Sequence, residues 1–140
     1  MTDFLTLDRI TLSYDGPDGL IPVVSNLSLN LEKGSIGCLL GASGCGKTTV
    51  LRAIAGFEPV RTGAIALDGQ VLSSPQHTIA PEKRQVGMMF QDYALFPHLN
   101  VSQNIAFGLR RWDKQRRRER VDELLHLAGL EGSGKRYPHE

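Results

Sequence analysis

The chain has 140 residues, 41% of them hydrophobic, which is enough for one modest domain with its own core and too apolar for a disordered chain. Sixteen basic residues against fifteen acidic ones leave a formal charge of +1, so no global field draws it to nucleic acid or to a membrane surface. No apolar run approaches the length that crosses a bilayer, and "MTDFLTLDRI" lacks the basic start and apolar centre of a secretory signal. Two cysteines, Cys38 and Cys45, make no disulfide framework, so a reducing cytosol is the expected setting.

In chain order, "FLTLDRITLSY" (residues 4–14) sets Leu5 and Leu7, then Ile10 and Leu12, in two alternating series. That pattern predicts a half-buried strand with a bulge near Asp8. "YDGPDGLIP" is a turn cluster, and in "NLSLNLEKG" Leu27, Leu29 and Leu31 alternate with polar residues, as on a strand with one wet face. Glu32-Lys33-Gly34 turns the chain into "SIGCLLG", where Ile36, Cys38, Leu39 and Leu40 predict a central strand covered on both faces. "TTVLRAIAG" predicts a helix with Val50, Leu51 and Ile54 on one stripe and Gly56 as its stop. "GAIALDG" reads as a strand closed by an Asp68-Gly69 turn, and "QVGMMFQ" (residues 85–91) as a further apolar strand. Asn100 caps a helix with Gln103 reaching back, and a last helix starts near Asp113. That helix carries Val121, Leu124, Leu125 and Ala128 on one stripe and stops at Gly129. The order is β-rich first, then mixed α/β.

Between the third and fourth predicted strands lies "GASGCGKTT", residues 41–49, which fits G-x-x-x-x-G-K-[ST]. Gly41, Gly46, Lys47 and Thr48 stand at the fixed positions, with an apolar stretch before and an amphipathic helix after. Glycines there let successive backbone amides of residues 43–49 face one concavity, and the helix adds the positive end of its dipole. Lys47 then sits on β- and γ-phosphates and the Thr48 hydroxyl on Mg²⁺, the expected cofactors being ATP and Mg²⁺. The nucleotide-binding set is Gly41, Ala42, Ser43, Gly44, Cys45, Gly46, Lys47, Thr48 and Thr49. Cys45, at a helix N-terminus beside Lys47, is either a reactive thiol or an inert small residue in a tight loop. The N-K-x-D and D-x-x-G elements of GTPases are absent. "RRWDKQRRRER" reads as the solvated face of an amphipathic helix; the alternative is the basic lid of a P-loop kinase, and few aromatics accompany it for nucleic acid.

Together with that loop, "LSYDG", "LRAIAGFEPVRTGAIALDG", "VGMMFQDYALFPHLNVSQNIAFGL" and "RYPHE" make the chain resemble the ATP-binding subunit of ATP-binding cassette (ABC) transporters over essentially its whole length. The resemblance implies an α/β fold: a P-loop NTPase core with an N-terminal antiparallel β portion (about residues 1–90), then the Q-loop and the start of the helical subdomain (about residues 91–140). It implies that Tyr14 stacks on adenine, the alternative being a strand-end tyrosine packed on the core. Gln91 matches the Q-loop glutamine that senses Mg²⁺, the attacking water and the transport partner, so Lys47 and Gln91 are the catalytic candidates and Thr48 and Gln91 the metal ones. "ALFPHL", residues 94–99, matches the place where a membrane permease docks its coupling helix; the alternative is packing of Leu95, Phe96 and Leu99 on the helix that follows.

The implied protein is a translocase at the cytoplasmic face of an inner membrane. It works with permease subunits, with a second ATP-binding subunit in a head-to-tail dimer, and indirectly with a periplasmic binding protein. Its vocabulary looks most like ferric iron uptake and is shared with sulfate, polyamine and sugar importers. The family's L-S-G-G-Q signature, Walker B Asp and Glu, and switch His are not found in this sequence. The expectation is an N-terminal part of a longer ATPase that does not hydrolyse ATP at this length, against a genuine non-hydrolysing nucleotide-binding module.

Overall fold

The computed structural model describes residues 3–140, which divide into two compact units, residues 3–88 and Met89–Glu140. The first is built on a sheet of five strands: β1 (Asp3–Gly16), β2 (Gly19–Glu32), β3 (Thr62–Leu67), β4 (Gln70–Ser74) and β5 (His77–Thr78). They lie in the order β2-β1-β3-β4-β5 with every pairing antiparallel. β1 and β2 form a hairpin closed by Pro17 and Asp18, with Gly16 opposite Gly19.

Register along β1 explains its two alternating series. Pairing with β2 jumps from Leu7↔Leu29 to Ile10↔Leu27, and Arg9 takes a positive φ of 45°. A period of two would send Leu7 and Ile10 to opposite faces; the bulge at Asp8 and Arg9 restores both to one face. Leu7, Ile10 and Leu12 are all fully buried as a result. β3 turns into β4 through Asp68 and Gly69, both in the left-handed region (φ 48° and 77°), the backbone of a tight hairpin turn.

The core of this unit joins Leu7, Ile10, Leu12, Val60 and Ile65 to Val50 and Ala53 of helix α1 (Lys47–Ala55). Gly56 ends α1 with φ 97°, its amide donating to the Ala53 carbonyl while that of Phe57 donates to Arg52. This is the two-bond closure of a glycine-terminated helix. The inward stripe of α1 differs from the predicted one: Val50 and Ala53 are buried and Ile54 packs beside them, whereas Leu51 is 50% exposed. Ala53 therefore takes the inward place on the stripe and Leu51 faces outward.

Two predicted strands are absent. Residues 35–40 are irregular, with Ile36 97% and Leu40 88% exposed and only Leu39 packed on the core. Residues 86–90 are likewise irregular, with Met89 exposed. A strand covered on both faces needs ladder partners on its edges. Among the described residues every strand is committed to the antiparallel sheet, and neither segment pairs with it.

The second unit holds two α-helices, α2 (Val101–Ala106) and α3 (Lys114–Leu127). Asn100 caps α2 in a reciprocal box: its side chain accepts from the Gln103 amide at 2.8 Å, and its own amide donates to Gln103 Oε1 at 2.9 Å. The amides of Val101 and Ser102 donate to the carbonyls of Arg136 and Gly134, so the terminal stretch lies along the start of α2. Asp113 caps α3, and Val121 and Leu125 are its buried residues. Ala128 caps the C-terminus and is exposed, so the predicted stripe ends one turn earlier. The arginines of "RRWDKQRRRER" spread over the wet surface: Arg116 lies over the Trp112 ring at 4.4 Å and Arg120 pairs with Glu123 at 2.7 Å.

Candidate functional site

The loop of residues 41–49 meets the sheet at Gly46. Gly46 is buried with φ 95°, and a Cβ there would stand 2.6 Å from Val24 Cγ2 and 3.2 Å from the Val23 carbonyl oxygen. Only glycine allows the chain to pass so close to β2 and enter α1 in that conformation. Helix α1 then starts without a side-chain cap and without an acidic residue in its first turn, its first internal bond running from the Val50 amide to the Gly46 carbonyl. The first-turn amides and the positive end of the helix dipole are thus left to an anion.

Lys47 bends back over its own loop. Its Nζ donates to the carbonyls of Gly41 (2.8 Å) and Ala42 (2.7 Å) and lies 3.5 Å from Cys45 Sγ. The ammonium is therefore held in the loop by two neutral acceptors, which leave its charge uncancelled. Tyr14, near the end of β1 opposite Ile21, is 42% exposed, and its hydroxyl is 3.1 Å from Thr49 Oγ1. Tyr14, Val23, Ser43, Gly44 and the run Gly46, Lys47, Thr48, Thr49 line one cleft of about 380 Å³. That volume lies within the range of small-molecule sites. An aromatic face at one end and an ammonium with free amides at the other suit a flat ring carrying an anionic tail. No carboxylate or imidazole is among the residues that line the cleft.

The predicted loop residues and Tyr14 are thus brought together. Gly41 and Ala42 contribute as carbonyl anchors for Lys47 and do not line the cleft; Cys45 sits behind the loop with its sulfur near Lys47. Gln91 belongs to the second unit, exposed in the turn of residues 91–94, where Tyr93 and Ala94 have positive φ. The buried strand expected before it is not there, residues 86–90 being irregular. In residues 94–99 the packing alternative is seen, and part of the stretch stays exposed. Phe96 packs on Phe107 with ring centres 4.3 Å apart, while Leu95 is 54% exposed. The Asn104 side chain holds this stretch, accepting from the Phe96 amide and donating to the carbonyls of Phe96, Leu99 and Asn100.

Sequence reasoning missed Arg84. It is 2% exposed and donates to the carbonyls of Ile79, Ala53, Ile54 and Leu72 and to Ser73 Oγ. Burial pushes its guanidinium below the ordinary arginine value, yet an arginine remains charged at neutral pH. In "PEKRQ" nothing about its spacing separates it from a solvated basic residue.

Comparison with known proteins agrees with this geometry. A family model described as ABC transporter matches residues 24–140. The putrescine transport ATP-binding protein PotG of Escherichia coli is 48% identical over all of this chain and 36% of its own length. The Fe(3+) ions import ATP-binding protein FbpC of Vibrio cholerae is 46% identical over 96% of this chain and 37% of its own length. The sulfate/thiosulfate import ATP-binding protein CysA 2 of Chromobacterium violaceum is 48% identical over 87% and 32%. The chain thus spans about a third of the length of these curated relatives. Its fold is that of the ATP-binding cassette MJ0796, solved as a dimer in a post-hydrolysis state with ADP and Pi, at TM-score 0.83 and 24% identity over 96% of this chain and 62% of that one. With the loop of residues 41–49 and the helical segment inside a family model that matches residues 24–140, the chain belongs to the ABC transporter family.

Proposed function

We infer that the chain is part of the ATP-binding subunit of an ABC importer and that its cleft takes Mg-ATP. The observation that carries this is the loop itself: an uncapped, acid-free start of α1, reached through a left-handed Gly46, with the Lys47 ammonium held in the concavity. These residues fit a triphosphate, because anionic oxygens replace the Gly41 and Ala42 carbonyls as acceptors for Lys47 while the first-turn amides receive the rest. Thr48, exposed beside Lys47, supplies one hydroxyl to Mg²⁺, an ion that keeps several waters and uses few protein ligands beside phosphate. When bound, the metal neutralises charge on the β- and γ-oxygens. Tyr14 offers its face to adenine, and its bond to Thr49 fixes the distance from base to loop. Gln91, through an amide that both donates and accepts, has the chemistry to report on Mg²⁺ and water to a transport partner.

In this reading residues 94–99 receive a membrane permease, a second ATP-binding subunit completes the hydrolytic site head to tail, and a periplasmic binding protein delivers solute. The setting is the cytoplasmic face of an inner membrane; no described helix is long and apolar enough to cross one. Relatives named for putrescine, iron and sulfate match at 48, 46 and 48% identity, so likeness favours none of these solutes, ferric iron included. The deciding experiment is titration of the chain with a fluorescent ATP analogue in Mg²⁺. Lys47→Ala is expected to lower affinity at least tenfold with an unchanged far-UV spectrum; unaltered affinity would sink the assignment.

A further inference from the structure

Helix α1 has two anchored ends. Its N-terminal end forms the cleft, and its C-terminal end rests on Arg84, which follows a short 3-10 turn of residues Pro81–Lys83. Over nine residues these ends are about 13 Å apart. Arg84 Nη1 donates to Ala53 and Ile54 at 3.0 Å each, while Nη2 donates to Leu72 (3.2 Å) and Ser73 Oγ (2.7 Å) of β4. Nε completes the set on the Ile79 carbonyl at 2.7 Å. One planar guanidinium therefore ties the end of α1 to β4 and to the segment after β5.

No carboxylate pairs with Arg84 among the described residues, so its buried charge is balanced by carbonyl dipoles, including the negative end of α1. Closing the helix does not require it: the amides of Gly56 and Phe57 already satisfy the Ala53 and Arg52 carbonyls. Gly56 is moreover shaped around it, since a Cβ there would stand 2.5 Å from Arg84 Nε. A cation buried without an acid partner is an unfavourable choice for packing alone, because an apolar side chain of similar volume would avoid its desolvation. What the guanidinium adds is a fixed axial position for α1 against the sheet.

We propose that Arg84 is a positioning residue for the anion-binding loop, setting from the far end of α1 how firmly the cleft holds phosphate groups. The proposal rests on the nucleotide reading of the cleft and goes beyond it by making phosphate affinity depend on a residue that touches no ligand. A staple for the β4–β5 hairpin would affect every ligand alike. A positioning residue affects phosphates more than the base, because the Tyr14 ring is carried by β1 and only its hydroxyl reaches Thr49 of α1.

The test displaces a fluorescent ATP analogue from the chain with ATP, ADP and adenosine, at a temperature where each variant is folded by circular dichroism. Arg84→Gln is expected to weaken ATP and ADP at least tenfold and adenosine less than twofold, and Arg84→Lys to return ATP to within threefold of the parent. Equal weakening of ATP and adenosine, or unchanged ATP affinity, would overturn the proposal. Should Arg84→Gln not fold, Ser73→Ala keeps the charge and the bonds to α1 while removing one link to β4. It is expected to weaken ATP about threefold and leave adenosine unchanged; an equal effect on both overturns the idea.

A second readout needs no nucleotide. Cys45 and Cys38 are both exposed, and only Cys45 lies in the loop. A thiol reagent applied to Arg84→Gln should shift the Cys45-to-Cys38 labelling ratio at least threefold, because the loop no longer holds Sγ beside Lys47. A parent chain that binds no ATP would refute the nucleotide reading, and an unchanged labelling ratio would then refute the positioning role separately.

Discussion

Tyr14 carries two separable contributions, and one substitution divides them. Its ring lines the cleft, while its hydroxyl reaches Thr49 Oγ1 across 35 positions of sequence. Tyr14→Phe is expected to remove about 1 kcal/mol of stability, the usual net value of such a bond, and to change ATP affinity less than threefold. Tyr14→Ser also removes the stacking face and should weaken ATP at least tenfold, since stacking a base on an aromatic ring is worth about 1–3 kcal/mol. Chemical denaturation and nucleotide titration on both variants check the pair. Cys45 offers a second residue-scale test. Its sulfur lies behind the loop 3.5 Å from Lys47 Nζ, so a triphosphate that draws Lys47 into the cleft takes the ammonium from beside the thiol and orders the loop around it. Saturating Mg-ATP should slow alkylation of Cys45 at least fivefold and leave Cys38 unaffected, followed by peptide mass spectrometry. Equal rates with and without nucleotide would refute the location of the phosphates.

At the scale of elements, the hydrogen bonds of Asn104 make residues 96–100 part of α2 rather than a free connection. Its side chain engages the Phe96 amide and the carbonyls of Phe96, Leu99 and Asn100. Replacing it with alanine leaves backbone groups of that turn without partners, at a cost of about 1–3 kcal/mol for each one not rescued by water. Asn104→Ala is expected to speed amide exchange at Phe96 and Leu99 more than tenfold while α3, held by Val121 and Leu125, keeps its protection. Hydrogen-exchange mass spectrometry reads both segments at once. Uniform loosening of α2 and α3 would show that Asn104 supports the whole unit and not the turn. If the turn receives a permease, the same variant weakens that association without touching ATP affinity, because the loop of residues 41–49 lies in the other unit.

For the whole molecule, the composition of the cleft sets a limit on its chemistry. In the proposed reading Lys47, Thr48 and the loop amides stabilise charge, and the residues that line the cleft include no acid or histidine. The 140-residue chain is therefore expected to bind Mg-ATP and to release phosphate no faster than its Lys47→Ala variant. A phosphate-release assay at several protein concentrations checks this. Lys47-dependent turnover that is independent of concentration would demand a base within this chain. Turnover that rises steeply with concentration would instead point to a site completed by a second copy.

Local features were legible in the sequence because they depend on neighbours within about four positions. The G-x-x-x-x-G-K-[ST] loop, the Gly56 stop, the Asp68-Gly69 turn and the Asn100–Gln103 box stand where turn and capping chemistry puts them. Even the bulge near Asp8 shows in the sequence, as a change of parity between Leu7 and Ile10. Partners distant along the chain were not legible. "SIGCLLG" and "QVGMMFQ" have the composition of covered strands, yet an apolar run carries no record of the strands that must pair with it, and none pairs within residues 3–140. Leu51 matched the helical period but faces outward, with Ala53 in the core instead. Arg84 is the clearest case: its acceptors lie 5 to 31 positions away, on α1, on β4 and after β5. Sequence determined the loop and its chemistry, because a phosphate cradle is made of consecutive backbone amides. Tertiary structure alone decided that Arg84 joins the end of α1 to β4 and to the segment after β5, because a buried cation finds its carbonyls only once three separate segments have met.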